Sequence, residues 1–176
     1  MKRMTKLVAA GFAAAAIFLG TNVANAQSTP KSALRFGIGI EGLAPTGNLH
    51  DRSNFGLGGT ARLQYGVSDA VALTLTSGYY NFFGREVPTT GVNYTNLGVV
   101  PIKAGLKAFV SQNIYLGAEV GAGIEVTSTK QTKLIASPGI GWANQSWDIG
   151  ARYENFSGQS YNYGTVGLRI AYGFGL

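Results

Sequence analysis

The chain has 176 residues, of which 45% are hydrophobic and only 12% charged, with 26 glycines, one histidine and no cysteine. Such a composition excludes a disordered chain, and the missing cysteines exclude disulfide frameworks, thiolate metal sites and cysteine nucleophiles. The formal charge of +6 would suit a nucleic-acid partner, but its placement argues otherwise.

Lys2, Arg3 and Lys6 precede an apolar run from Leu7 to Leu19, and Ala24-Asn25-Ala26 offers a small-x-small cleavage pattern. Residues 1–26 read as a secretory signal peptide cleaved before Gln27, because the apolar run is short for a spanning helix. Without its three cations, the fourteen basic residues become eleven against eight acidic ones, a net +3. No nucleic-acid partner is expected. Residues 27–176 contain no linker-like stretch and read as one domain. No later stretch approaches the length of a membrane helix, so any crossing by this domain is made with strands.

The domain is built of period-two alternation, segment after segment. Leu34, Phe36, Ile38 and Ile40 alternate with Arg35, Gly37, Gly39 and Glu41. Ala61, Leu63, Tyr65 and Val67 alternate with Thr60, Arg62, Gln64 and Gly66. Val71, Leu73 and Leu75 form a third apolar row, and Val100 to Ala108 a fourth, interleaved with Pro101, Lys103, Gly105 and Lys107. Ile114 to Ile124 is the fifth, opposed by Tyr115, Gly117, Glu119, Gly121, Gly123 and Glu125. Ala136 to Trp142, Trp147 to Tyr153 and Val166 to Leu176 complete the set. Successive side chains of a strand point to opposite faces, so each segment predicts a strand with one apolar and one polar face.

The predicted connections also alternate. Short turns are expected at Ser68-Asp69, Ser111-Gln112-Asn113 and Asn144-Gln145-Ser146. Longer polar loops are expected at roughly 45–55, 81–96, 127–133 and 155–163, the second carrying Tyr79, Tyr80, Phe82, Phe83 and Tyr94. Eight strands joined this way predict an all-β, antiparallel, up-and-down transmembrane barrel with periplasmic turns and termini and extracellular loops.

The charges decide which face meets lipid. Arg35, Glu41, Arg62, Lys103, Lys107, Glu119, Glu125, Asp148, Arg152, Glu154 and Arg169 all share the polar parity of their strands, as a lipid-facing charge costing about 2–4 kcal/mol would demand. A soluble barrel, apolar inside, explains alternation equally well. Glycines favour the membrane barrel: Gly37, Gly39, Gly105, Gly117, Gly121 and others share the charged parity. There they make room for long side chains in a lumen that eight strands leave just wide enough to fill. A filled polar lumen of paired charges is therefore expected. On the apolar parity, Phe36, Tyr65, Trp142, Trp147, Tyr172 and Phe174 fall near the turns or termini, and Tyr79 and Tyr153 near the loops, as interfacial girdles would.

These stretches resemble the small bacterial outer-membrane β-barrel family, particularly the OmpX/OmpA-like eight-stranded barrels of Bacteroidetes-type genomes. The matching segments are Glu41-Gly42-Leu43-Ala44-Pro45-Thr46-Gly47-Asn48, and Val100 to Lys107 running on through Ile114 to Glu119. The closing segment Leu168 to Leu176 resembles the signal read by the barrel assembly machinery, although it ends in Leu rather than the usual Phe. The resemblance implies outer-membrane localisation, lipid and the assembly machinery as partners, and a role in adhesion or envelope stability.

Tempting motifs have plainer explanations. Gly37-Ile38-Gly39-Ile40-Glu41-Gly42 matches a dinucleotide fingerprint but lies within a strand and is followed by Pro45 rather than a helix. Asn93-Tyr94-Thr95 and Asn155-Phe156-Ser157 match glycosylation acceptors through common loop composition. His50, Asp51 and Ser53 contain the residue types of a lipid A deacylase, yet residues this close in a loop seldom converge as nucleophile, base and orienting acid. Pro101 and Pro138 interrupt strands, and a bulge is expected at Pro138. The sequence predicts a monomeric, non-catalytic outer-membrane protein with no cofactor and no metal, whose loops could meet an extracellular partner. A lipid A-modifying enzyme and a small-solute channel are the alternatives.

Overall fold

The computed structural model describes residues 32–87, 92–127, 130–158 and 161–176. The expected signal peptide, residues 1–26, lies outside them. Eight antiparallel strands close into one barrel in sequence order: β1 (Leu34–Gly47), β2 (Ser53–Ser68), β3 (Val71–Gly84), β4 (Leu97–Phe109), β5 (Ile114–Glu125), β6 (Thr132–Ala143), β7 (Trp147–Ser157) and β8 (Tyr163–Gly175). Closure is made by β1 against β8, from Arg35 opposite Gly175 to Gly47 opposite Tyr163. A closed ladder leaves no unpaired edge.

The connections 69–70, 110–113 and 144–146 lie with the start of β1 and the end of β8 at one end of the barrel, the turn end. At the other, the loop end, all four connections are shorter than the sequence suggests, at 48–52, 85–96, 126–131 and 158–162, and only 85–96 is long. The strands run further than alternation reveals. Consequently Tyr80 and Phe82 are not loop residues. They belong to β3 and are fully buried in the lumen, while Tyr79 and Phe83 project outward from the same strand. Lys133, expected in a loop, likewise sits on β6 with its side chain buried inside.

Pro138 makes no bulge. The β6–β7 ladder lapses at Ser137 and Pro138, but the register is unchanged on either side, with Ala136 opposite Asn155 and Gly139 opposite Arg152. Pro101 does the same toward β3, between the Ser77–Ile102 and Tyr80–Val99 pairs. A proline lacks one donor, and a two-residue gap in one ladder accommodates that loss while the other ladder, through Pro138 opposite Ala118 or Pro101 opposite Gly123, stays continuous.

The polarity is inverted relative to a water-soluble barrel. Ile38, Leu73, Val120, Leu134, Ile140 and Leu168 are exposed on the outer wall, and Glu41, Arg62, Lys103, Lys107, Glu119 and Arg169 are buried within it. Inward glycines create the space. A Cβ at Gly150 would lie 2.7 Å from the Tyr115 hydroxyl, one at Gly139 2.8 Å from the Arg152 Cβ, and one at Gly105 2.7 Å from the Glu119 Cγ. They therefore clear room for an aromatic ring as well as for charged stems.

Candidate functional site

The lumen is layered. At its centre, charges from six strands link into a closed circuit. Arg169 on β8 lies 3.7 Å from Glu41 on β1, Glu41 pairs with Arg152 on β7, and Arg152 reaches Glu154 at 2.8 Å. Glu154 pairs with Lys103 on β4, which reaches Glu119 on β5 at 3.3 Å. Glu119 meets Arg62 on β2 at 3.0 Å, Arg62 meets Asp148 on β7 at 3.4 Å, and Asp148 returns to Arg169 at 3.5 Å. Cation and carboxylate alternate at every step, and Lys107 pairs with Asp148 as a branch.

Hydroxyls hydrogen-bond to the same charges. Thr76 donates to Glu119 at 2.7 Å and accepts from Arg62 Nε at 2.9 Å. Thr60 donates to Glu41 at 2.8 Å and accepts from Arg169 Nε at 3.1 Å. Tyr80 donates to Glu154 at 3.4 Å and accepts from Arg152 at 2.9 Å, and Tyr115 donates to Asp148 at 2.7 Å. Buried charges persist only when paired and hydrogen-bonded in this way.

Nine of the eleven charges expected in the lumen meet in this assembly: Glu41, Arg62, Lys103, Lys107, Glu119, Asp148, Arg152, Glu154 and Arg169. Arg35 stands apart at the turn end, donating to the backbone carbonyls of Asn144, at 3.1 Å, and Gln145. Glu125 stands near the loop end, accepting from Tyr163 at 3.1 Å. Sequence reasoning missed Lys133, whose ammonium donates to the Tyr161 carbonyl at 3.0 Å and lies 4.7 Å from that ring's centroid.

Above the charges the lumen turns apolar, which the sequence reading did not anticipate. Leu43, Phe82, Val99, Ile135 and Phe156 pack together with Leu49, folded in from the 48–52 connection. Phe156 stacks on Tyr163 with centroids 4.7 Å apart. This plug and the charge circuit beneath it fill the bore. Two cavities of about 30 Å³ each lie on the turn side of the circuit.

On the outer wall, Trp147 and Tyr172 meet edge to face at 5.3 Å, and Tyr172 meets Phe174 at 5.0 Å, close to the turn end. Phe36, half-buried, and the exposed Tyr65 and Trp142 lie at the same level. Tyr79 and Tyr153 occupy the loop-end level together with Phe83, one of the aromatics expected at the second loop, and Phe55, which sequence reasoning did not single out.

His50, Asp51 and Ser53 do not assemble into a triad. The Ser53 hydroxyl is buried and donates to the Phe55 carbonyl at 3.1 Å, whereas His50 is exposed. Asn155 of the second glycosylation-like motif lies on β7 and donates to Ser157 at 2.7 Å.

No family model matches the chain, and no curated protein matches it. Solved structures do. Ail, the attachment invasion locus protein of Yersinia pestis, superposes with a TM-score of 0.60 at 15% identity, covering 82% of this chain and 99% of that one. Ail in a phospholipid bilayer nanodisc gives 0.59 at 16% identity, covering 82% and 100%. A de novo designed transmembrane β-barrel gives 0.51 at 16% identity, covering 84% and 100%. The chain has the fold of the small, eight-stranded outer-membrane barrels.

Proposed function

We propose that this chain is an integral outer-membrane protein, exported by a signal peptide at residues 1–26, whose barrel is a rigid, non-catalytic anchor for a partner-binding loop end. The observation that carries the reading is the inverted polarity. Ion pairs buried at the centre and an aliphatic outer wall between two aromatic levels suit hydrocarbon outside and an isolated polar interior. The likeness to a barrel studied in a lipid bilayer supports that environment. Leu168, Ile170, Tyr172 and Phe174 on the outward face of β8 suit recognition by the barrel assembly machinery, and the barrel closed within one chain suits a monomer.

The loop end supports the adhesive side of the reading. Arg52 sits over both Tyr94, at 5.8 Å, and Tyr161, at 5.9 Å, drawing the 48–52, 85–96 and 158–162 connections together. An attachment protein is among the chains that share the fold. A filled bore argues against a diffusion channel, and Ser53 bonded to a backbone carbonyl argues against acyl transfer.

The test is spectroscopic and cellular. Trp142 and Trp147 fluorescence should be quenched by lipids brominated near the headgroup, and unboiled protein should migrate differently from boiled protein in a denaturing gel. A freely water-soluble product with unquenched tryptophans overturns the membrane reading. Deletion of the gene should change surface attachment or detergent sensitivity, and cells unaltered in both overturn the role.

A further inference from the structure

We propose that the barrel wall yields locally between β6 and β7, opening the lumen sideways beside Pro138, and that the bond from Tyr115 to Asp148 is the latch that holds it shut. Two ladders lapse in mid-strand, β3–β4 at Pro101 and β6–β7 at Pro138, but only the first is braced. There the Tyr79 ring crosses the outer wall onto β4, where a Cβ at Gly98 would collide with its hydroxyl. On the inner wall Lys103 donates to Tyr80 at 3.2 Å, joining the same two strands.

The second lapse lacks both braces. Tyr153 leans away from it, its hydroxyl covering Gly164 on β8. Among the described residues no ion pair or side-chain hydrogen bond joins β6 to β7, and β6 alone of the eight strands sends no side chain into the charge circuit or its hydroxyl partners. The β6–β7 ladder is also the shortest in the barrel, three pairs on the loop side of the lapse and five on the turn side. The wall is thin there, with Gly139, Gly141 and Gly150 on its inner face and Ala136, Pro138 and Ala151 on its outer face. Directly behind it lies a cavity lined by Ser137, Gly139, Ile140, Gly150, Ala151 and Arg152.

A segment with few buried contacts opens at low cost while the rest of the fold stays intact. The continuous β5–β6 ladder makes β6 move with β5, so a contact from β5 to β7 opposes the opening. Tyr115 on β5 supplies it: the ring crosses the inner face of Gly141 and Gly150, and the hydroxyl donates to Asp148 on β7 at 2.7 Å. Hydrogen bonds to a charged acceptor are the strong ones, and loss of this one should raise the open population about ten- to a hundredfold. The opening is confined to one seam, so the other ladders keep the barrel a rigid anchor, and the inference stands independently of what the loop end binds.

The experiment uses the whole barrel in detergent and follows amide hydrogen exchange by mass spectrometry, with unboiled gel mobility confirming that each variant is folded. Amides flanking Pro138 on β6 and Tyr153 on β7 should exchange about tenfold faster than those flanking Pro101 on β4 and Gly78 on β3. Both places lack the same ladder donor, so the difference reads the bracing alone. Tyr115→Phe should speed exchange at β6–β7 by about ten- to a hundredfold and leave β1–β2 and β3–β4 unchanged. Pro138→Val restores an N–H to the ladder and should slow the seam toward the β3–β4 rate. Equal exchange at the two lapses overturns the proposal. So does a Tyr115→Phe variant that speeds every strand alike or none, and so does an unchanged seam in Pro138→Val.

Discussion

Replacing Lys103 with methionine tests whether the buried circuit stabilises the barrel as a linked unit. Lys103 has no exposed surface and joins Glu154 to Glu119, while also donating to Tyr80 at 3.2 Å. Methionine keeps most of the stem's volume and removes the charge. Removing one partner of a buried pair costs about 3–5 kcal/mol. Here both carboxylates keep a guanidinium, Glu154 through Arg152 at 2.8 Å and Glu119 through Arg62 at 3.0 Å. The loss should therefore fall at the lower limit, about 3 kcal/mol. Adding Glu154→Gln removes one charge of each sign and leaves an open but alternating chain, so the double variant should be less destabilised than the two single losses combined, by about 1–3 kcal/mol. Equilibrium urea unfolding in lipid vesicles, followed by tryptophan fluorescence and unboiled gel mobility, measures all three. A Lys103→Met loss within about 0.5 kcal/mol of wild type, or strictly additive losses, refutes the linked circuit.

Further tests address the wall, the membrane and catalysis. Gly121→Ala would drive a methyl into the Ile102 carbonyl, whereas Gly59→Ala would meet nothing within 4 Å. The first should cost about 1–3 kcal/mol, and the second should be neutral or stabilise by about 0.5–1 kcal/mol, measured in the same unfolding assay. Val120→Arg, at mid-height on the outer wall, should cost about 2–4 kcal/mol in lipid and Leu57→Arg, near the loop end, about 0–1 kcal/mol. Equal costs at both positions contradict immersion in a bilayer. Mass spectra of lipid A from cells expressing wild type and His50→Ala should be identical, and a difference between them would establish an enzyme. Verified insertion into a planar bilayer should produce no steady conductance, because the Phe82–Phe156 plug and the charge circuit occupy the bore.

The loop-end halves of the strands explain where sequence reasoning stops. Alternation is visible only where the two faces differ in polarity. From Thr60 to Val67 or Ile114 to Glu125 they do, and those stretches are legible. Toward the loop end, Tyr80 and Phe82 point inward while Tyr79 and Phe83 point outward. With both faces apolar, the period-two signal vanishes and the segment reads as a loop rich in aromatics. Lys133 escapes for a related reason: it is the one charge in a short stretch of β6 beyond the readable alternation. Pro138 suggests a bulge because proline cannot serve a full ladder, but a closed barrel tolerates a local gap when the opposite ladder is intact.

The sequence by itself determined strand number, order, the inward parity of the charges and the end at which the turns lie, because each follows from local periodicity and turn chemistry along one strand. It could not determine that the charges close into a circuit, nor which cation meets which carboxylate. Arg62 and Glu119 come from β2 and β5, and Lys103 and Glu154 from β4 and β7, strands that never share a ladder. Those partners meet across the lumen only after the barrel closes and its shear sets their heights. Pairing across a bore is a property of the closed cylinder, with no counterpart in any stretch of chain.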